Sequence, residues 1–176
     1  MNIRFSGFGG QGIILAGVIF GWGAVLDGKN VIQTQSYGSS ARGGACKCDV
    51  IMDNKQIYEL EPHQLDILVS FSQPAYDSFK KFLKPDGVQF LDSDLVPNYS
   101  DLEKTFNIPA TDIAFKEWNN KIIGNIIMLG CITQAAGLVG QDSMEESIKK
   151  FVPGKYYQIN IEAFRKGISL IREFAN

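Results

Sequence analysis

The residues best suited to chemistry stand at the start of the chain, in the run Gly7-Phe8-Gly9-Gly10-Gln11-Gly12. Glycines let a backbone bend sharply and approach a ligand closely. Where such a run opens a helix, the unpaired N–H groups and the positive end of the helix dipole suit a phosphate or another anion. A second small and polar run, Ser36-Tyr37-Gly38-Ser39-Ser40-Ala41-Arg42-Gly43-Gly44, carries one guanidinium. Arg42 can grip a phosphate or carboxylate in a bidentate pair, or meet a carboxylate of this chain or a neighbour. The rest of the inventory is thin. The one histidine, His63, follows Pro62 in a turn and reads as a surface residue. Cys46 and Cys48 point the same way from a strand, but zinc or an iron–sulfur cluster needs about four ligands, and neither Cys131 nor His63 has ligand-like spacing to them. No paired carboxylates sit at motif spacing, and no Walker-type lysine follows the glycines. The residues alone describe a phosphate- or nucleotide-shaped binding domain without catalytic apparatus.

The elements around the first loop explain how it is held. Asn2 to Ser6 reads as a short strand and Ile13 to Leu26 as an apolar helix, together the first half of a βαβ unit. Gly17 and Gly21 lie on one face of that helix, where close packing on the sheet is preferred over approach of a helix from a partner chain. Val31 to Gln35 is the next strand. A nicotinamide- or flavin-binding domain places an acidic residue about 20 positions past its glycines to hold the ribose. Gln33 and Gln35 occupy that region and argue against a dinucleotide. As the loop after this strand, residues 36–44 should lie beside the glycine loop.

Ala45 to Met52 is a strand, expected to run antiparallel, with a turn at 53–56 and a short return at Ile57 and Tyr58. Asp66 to Phe71 is a continuous apolar strand of the kind buried in a parallel sheet. Ser72 caps a helix that starts with Pro74 in its first turn and extends to Leu83. A turn at 84–87 leads into the strand Val88 to Asp92, and a short strand follows at 106–108. Asn119 to Leu138 reads as a second long apolar helix. Ser143 to Glu146 is a capping box, and Asn160 caps a last helix to Phe174. The whole is an α/β chain with a doubly wound, Rossmann-like sheet, mostly parallel, with helices on both faces, and residues 1–176 form one domain.

At 176 residues, with 45% hydrophobic and 20% charged residues and a net charge of −2, the composition is that of a soluble globular chain. Nothing in it suits nucleic acid or a membrane surface. The N-terminus lacks a signal peptide, and the odd number of cysteines fits a reducing, cytoplasmic setting.

The pair of glycine motifs at this separation resembles the gamma subunit, or gamma domain, of the 2-oxoacid:ferredoxin oxidoreductases. The resemblance continues through Asp66-Ile67-Leu68-Val69, Ser72-Gln73-Pro74-Ala75-Tyr76, Leu91-Asp92-Ser93-Asp94, the segment Asn125 to Gly130 and the segment Asn160 to Gly167. It covers nearly the whole chain, and its wording over residues 72–95 is most like the 2-oxoglutarate enzyme, with pyruvate and branched-chain versions close. It implies a reaction in which a 2-oxoacid and coenzyme A become an acyl-coenzyme A and carbon dioxide, with electrons passed to ferredoxin. Thiamine diphosphate and the iron–sulfur clusters would lie on partner subunits. This chain would serve assembly and the coenzyme A side, with Gly7, Gly9, Gly10, Gln11 and Gly12 against the cofactor and Arg42 beside it. The alternatives are a ligand-free assembly subunit, which in isolation pairs with copies of itself, and a dinucleotide-binding protein.

Overall fold

The computed structural model describes residues 1–37, 45–100 and 102–174. Six strands form one sheet: β1 (Asn2–Gly7), β2 (Asn30–Ser36), β3 (Cys46–Asp53), β4 (Leu65–Ser70), β5 (Leu83–Asp92) and β6 (Thr105–Ile108). Their order across the sheet is β2-β3-β1-β4-β5-β6. β3 runs antiparallel to both of its neighbours, while β1, β4, β5 and β6 are mutually parallel. The doubly wound α/β expectation holds, with the expected antiparallel strand wedged between β1 and β2.

Alternation decides what each face of the sheet meets. Ile3, Phe5, Cys48, Val50, Ile67, Val69 and Phe90 belong to one large apolar core with the helices α1 (Ile13–Leu26), α3 (Ala110–Trp118), α4 (Gly124–Ala136), α5 (Gln141–Phe151) and α6 (Tyr157–Phe174). The second face carries a smaller cluster of Leu65, Leu68, Leu91 and Val96, covered by Tyr76 of α2 (Gln73–Phe79). On that face Arg4 and Asp49, both buried, form a two-pronged ion pair at 2.5 and 2.8 Å across β1 and β3. The rings of Phe79 and Phe82 lie over the guanidinium at 4.8 and 5.3 Å. Lys47 Nζ also reaches Asp49, at 3.2 Å, so removing Arg4 leaves the carboxylate one partner, whereas removing Asp49 would strand the guanidinium in a dry site at a cost of about 3–5 kcal/mol.

Helix α1 is buried on several sides because its glycines admit neighbours. A Cβ on Gly17 would overlap Cys48 of β3, and one on Gly21 would touch Val31 and Val50. These positions pack on the sheet, as preferred. α4 and α6 cross still more closely: a Cβ on Gly130 would strike the Phe164 carbonyl, and one on Gly167 the Ile127 carbonyl.

Several boundaries differ from expectation for local reasons. Ser72 does cap α2, accepting from the Ala75 N–H at 3.4 Å, but the helix stops at Phe79 and Lys80–Phe82 form a 3-10 turn. The turn at 84–87 is absorbed as an irregularity within β5, where Leu65 pairs with Leu83 and Ile67 already with Val88. Ile57 and Tyr58 form no strand. The long helix expected from Asn119 is interrupted: Asn119, at φ 50°, ends the unforeseen helix α3 in a left-handed cap, and α4 begins at Gly124 after a 3-10 turn. Ser143 makes no capping box, because its hydroxyl donates to Asp27 and α5 starts earlier, at Gln141. Asn160 lies inside α6 and donates to the Tyr156 carbonyl at 2.8 Å. Among the described residues no helix is long and apolar enough to cross a membrane.

Candidate functional site

The carboxyl edge of the sheet is built by strand polarity. From β1 the chain crosses to β2 on one side, while β4 and β5 extend the sheet on the other. The crevice between the ends of β1 and β4 is therefore the topological switch point, where doubly wound sheets place ligands. The glycine loop follows β1 here, and α1, α3 and α4 all begin at this edge.

Gly10 (φ 89°) and Gly12 (φ 72°) are left-handed, so the loop needs glycine at both. Gln11 fastens it from within. Its Oε1 accepts from the Phe8 N–H at 2.5 Å, and its Nε2 donates to the Phe71 carbonyl at 2.7 Å, tying the end of β1 to the end of β4. Gly7 is packed, since a Cβ there would sit 2.5 Å from Gln11 Oε1. Gly9 and Gly10 are exposed and face open space. Among the described residues, the N–H groups of Gly9, Gly10 and Gly12 have no protein acceptor. Within the run, Gly7, Gln11 and Gly12 hold the loop in place while Gly9 and Gly10 are presented, and Gln11 also borders the crevice. Arg42 lies outside the described residues. Ser36 pairs with Lys47 and Cys46 with Gly7, so β2 ends and β3 begins at the glycine-loop edge, while the expected position of residues 38–44 beside that loop lies outside the described residues.

The residue that sequence reading missed is Asn125, on the first turn of α4. It is 2% exposed. Its Nδ2 donates to the Gly12 carbonyl at 3.1 Å, joining the starts of α1 and α4. Its Oδ1 is buried and has no hydrogen-bond partner among the described residues. An unpaired buried acceptor costs about 1–3 kcal/mol, so such an atom marks a place where a donor is expected. Asn125 and Gly10 line a cavity of about 180 Å³ together with Phe71, Leu95, Thr111 and Lys121. Asp92, buried at the end of β5, accepts from the Thr111 N–H at 2.9 Å and from its hydroxyl at 2.6 Å, fixing the start of α3. Burial pushes the Asp92 carboxyl above its usual range, against the pull of those bonds. The sequence signal for Asn125 was an amide at the start of the helix, ahead of the apolar run Ile126 to Leu129.

A larger hollow of about 610 Å³ opens at the opposite edge, around Met1, Asp66, Gly87, Val88 and Phe106. It is bordered by Lys104 but also by the carboxylates Asp66 and Asp86 and by Ala135 and Ala136 at the end of α4, where the helix presents carbonyls rather than N–H groups. The remaining sequence candidates stay apart from the crevice. His63 is exposed. All three cysteines are free and buried. Burial raises the Cys46 thiol, pushes Cys48 up to about 11 and Cys131 up to about 12, so none is a ready thiolate. Gln33 donates to the Cys48 sulfur at 3.1 Å, which engages the side chain at the position where a dinucleotide site would want a carboxylate.

Residues 2–170 match the family described as Pyruvate ferredoxin/flavodoxin oxidoreductase. The chain is 45% identical to the 2-oxoglutarate synthase subunit KorC of Methanocaldococcus jannaschii, over 98% of this chain and 94% of that protein. The keto/oxoacid ferredoxin oxidoreductase gamma subunit of Geobacter sulfurreducens has the same fold, with a TM-score of 0.86, 36% identity and 98% of both chains covered. A 2-oxoglutarate:ferredoxin oxidoreductase chain from Magnetococcus marinus, solved with 2-oxoglutarate, coenzyme A and succinyl-CoA bound, shares the fold at a TM-score of 0.84 and 24% identity, over 98% of this chain and 31% of that one. The chain belongs to the pyruvate ferredoxin/flavodoxin oxidoreductase family.

Proposed function

We propose that this chain is the gamma subunit of a 2-oxoacid:ferredoxin oxidoreductase, of the 2-oxoglutarate type, and that it supplies the coenzyme A side of that enzyme's site. Its likeness to 2-oxoglutarate synthase subunits over almost its full length supports the assembly and the substrate class. The observation that carries the coenzyme A assignment is the switch-point crevice, where presented N–H groups of the glycine loop adjoin the unpaired Asn125 Oδ1. Coenzyme A offers both an anionic diphosphate and N–H donors, so the residues present fit it. The Magnetococcus relative, described with coenzyme A and succinyl-CoA bound, agrees with this choice through its fold.

In this reading the whole chain acts as one gamma-type domain. Gly9 and Gly10 receive the phosphates, Gln11 keeps the loop open by bracing it to Phe71, and Arg42 adds positive charge from the neighbouring connection. Thiamine diphosphate and the iron–sulfur clusters belong to partner subunits, and the chain alone is inactive. We place it with those partners in the cytoplasm, where its free thiols stay reduced.

The test is a calorimetric titration of the assembled complex with coenzyme A. A Cβ at Gly9 has no atom of the described residues within 4 Å, so Gly9→Leu is the mildest change to the fold that fills the presented part of the loop. It should assemble normally yet bind coenzyme A at least about tenfold more weakly. Unchanged affinity would sink the coenzyme A role. Failure to assemble would favour the reading in which the loop meets a partner subunit.

A further inference from the structure

The crevice is not uniformly suited to an anion. Thr111 gives its hydroxyl proton to Asp92, at 2.6 Å, so toward the cavity its oxygen has lone pairs only. Asn125 gives one amide N–H to the Gly12 carbonyl, and its buried Oδ1 has no partner among the described residues. Gln11 has committed both ends of its amide to the backbone. The unpaired polar atom inside the crevice is therefore an acceptor, Asn125 Oδ1, with the Thr111 oxygen as a second, and a phosphate set against these two would meet oxygen against oxygen. Donors lie at its mouth, on the Gly10 N–H and on Lys121, which is exposed and stacked 5.3 Å from the Phe115 ring. Phe71, Leu95 and Ile122 complete the lining with apolar surface.

We infer that Asn125 and Thr111 form an acceptor pair that reads an N–H donor on the bound ligand, while the glycine loop takes its phosphates outside the crevice. This rests on the reading that coenzyme A is that ligand. Within it the donor comes either from the pantetheine amides or from the adenine amino group. Both are weakly polar groups of a size that a cavity of about 180 Å³ can receive at one end. A ligand with phosphates and no such donor leaves Asn125 Oδ1 unpaired and loses the discrimination that a buried acceptor provides.

The experiment is calorimetric titration of the assembled complex with coenzyme A, pantetheine and adenosine 3′,5′-bisphosphate. Asn125→Leu should weaken coenzyme A about tenfold or more. It should weaken one of the two fragments and leave the other at the parent's affinity, and the fragment affected identifies the donor. Thr111→Val should act in the same direction, with Thr111→Ser restoring binding. If Asn125→Leu fails to assemble, the Thr111 pair decides the matter. Parent-like coenzyme A affinity in Thr111→Val, or in an assembled Asn125→Leu, overturns the acceptor pair. If Gly9→Leu nonetheless loses affinity in that case, the coenzyme A reading stands without it. If Gly9→Leu also binds normally, both fall.

Discussion

The glycine loop and the α4–α6 crossing are both built on glycine, and they use it in opposite ways. At the crossing, Gly130 and Gly167 let two helix backbones touch, each Cβ position being filled by a carbonyl of the other helix. At the loop, Gly9 and Gly10 have nothing within 4 Å of their Cβ positions. The first arrangement spends the missing side chain on packing, and the second leaves the space to something outside the chain. A count of glycines cannot separate the two uses, but the location of the nearest atom does.

The sharpest way to break this contrast is at the crossing. Gly167→Val should cost about 3 kcal/mol or more, because overpacking here meets backbone that cannot rotate away, and a denaturant midpoint measures it. A shift below about 1 kcal/mol would mean that the helices part easily and that the two glycine sites are alike. Gly12→Ala is intermediate. Its Cβ would run into the Asn125 amide, and φ 72° disfavours any side chain, so we expect a loss of about 1–3 kcal/mol together with weaker coenzyme A binding. Gly9→Leu should change stability by no more than about 0.5 kcal/mol while reducing ligand affinity, so that melting and calorimetry give opposite answers. The smallest effect belongs to a site remote from both. Burial opposes the Asp66 carboxylate, but Lys84, at 2.5 Å, and the Asn2 N–H, at 2.6 Å, more than offset it and hold its pKa below 3.8. The stability this gives is present above 3.8 and lost as pH falls through the lowered folded value. Asp66→Asn should therefore melt earlier than the parent at neutral pH, with the gap closing in acid, and its coenzyme A affinity should be unchanged.

The loop, the strands and the Ser72 cap were legible because each rests on local chemistry: glycine before an apolar run, continuous β-branched and leucine stretches, a hydroxyl ahead of proline. The antiparallel strand was legible from its partial alternation. Helix α3 was not, since it is short and its apolar stripe of Ala110, Ile113, Ala114 and Trp118 rests on two alanines that carry little hydrophobic signal. Ser143 and Asn160 misled because their partners are distant or backward in sequence, Asp27 for one and the Tyr156 carbonyl for the other. Gln11 was read as facing the ligand; the sequence did not disclose that it also braces the loop to the Phe71 carbonyl, 60 residues away. Asn125 escaped for the same reason. Its meaning comes from Gly12, 113 positions earlier, and from an oxygen that nothing among the described residues reaches.

The buried Arg4–Asp49 pair bears on how the sheet assembles. β3 must insert between β1 and β2, and a slip of one residue in either ladder would leave much of the backbone pairing intact while turning every side chain to the opposite face. Such a slip would drive Arg4 in among Phe5's partners, against Phe20 and the underside of α1, with no carboxylate to meet it. The ion pair between the phenylalanines thus penalises a misaligned β1–β3 ladder, and so discriminates between registers that the backbone hydrogen bonds alone would leave close in energy.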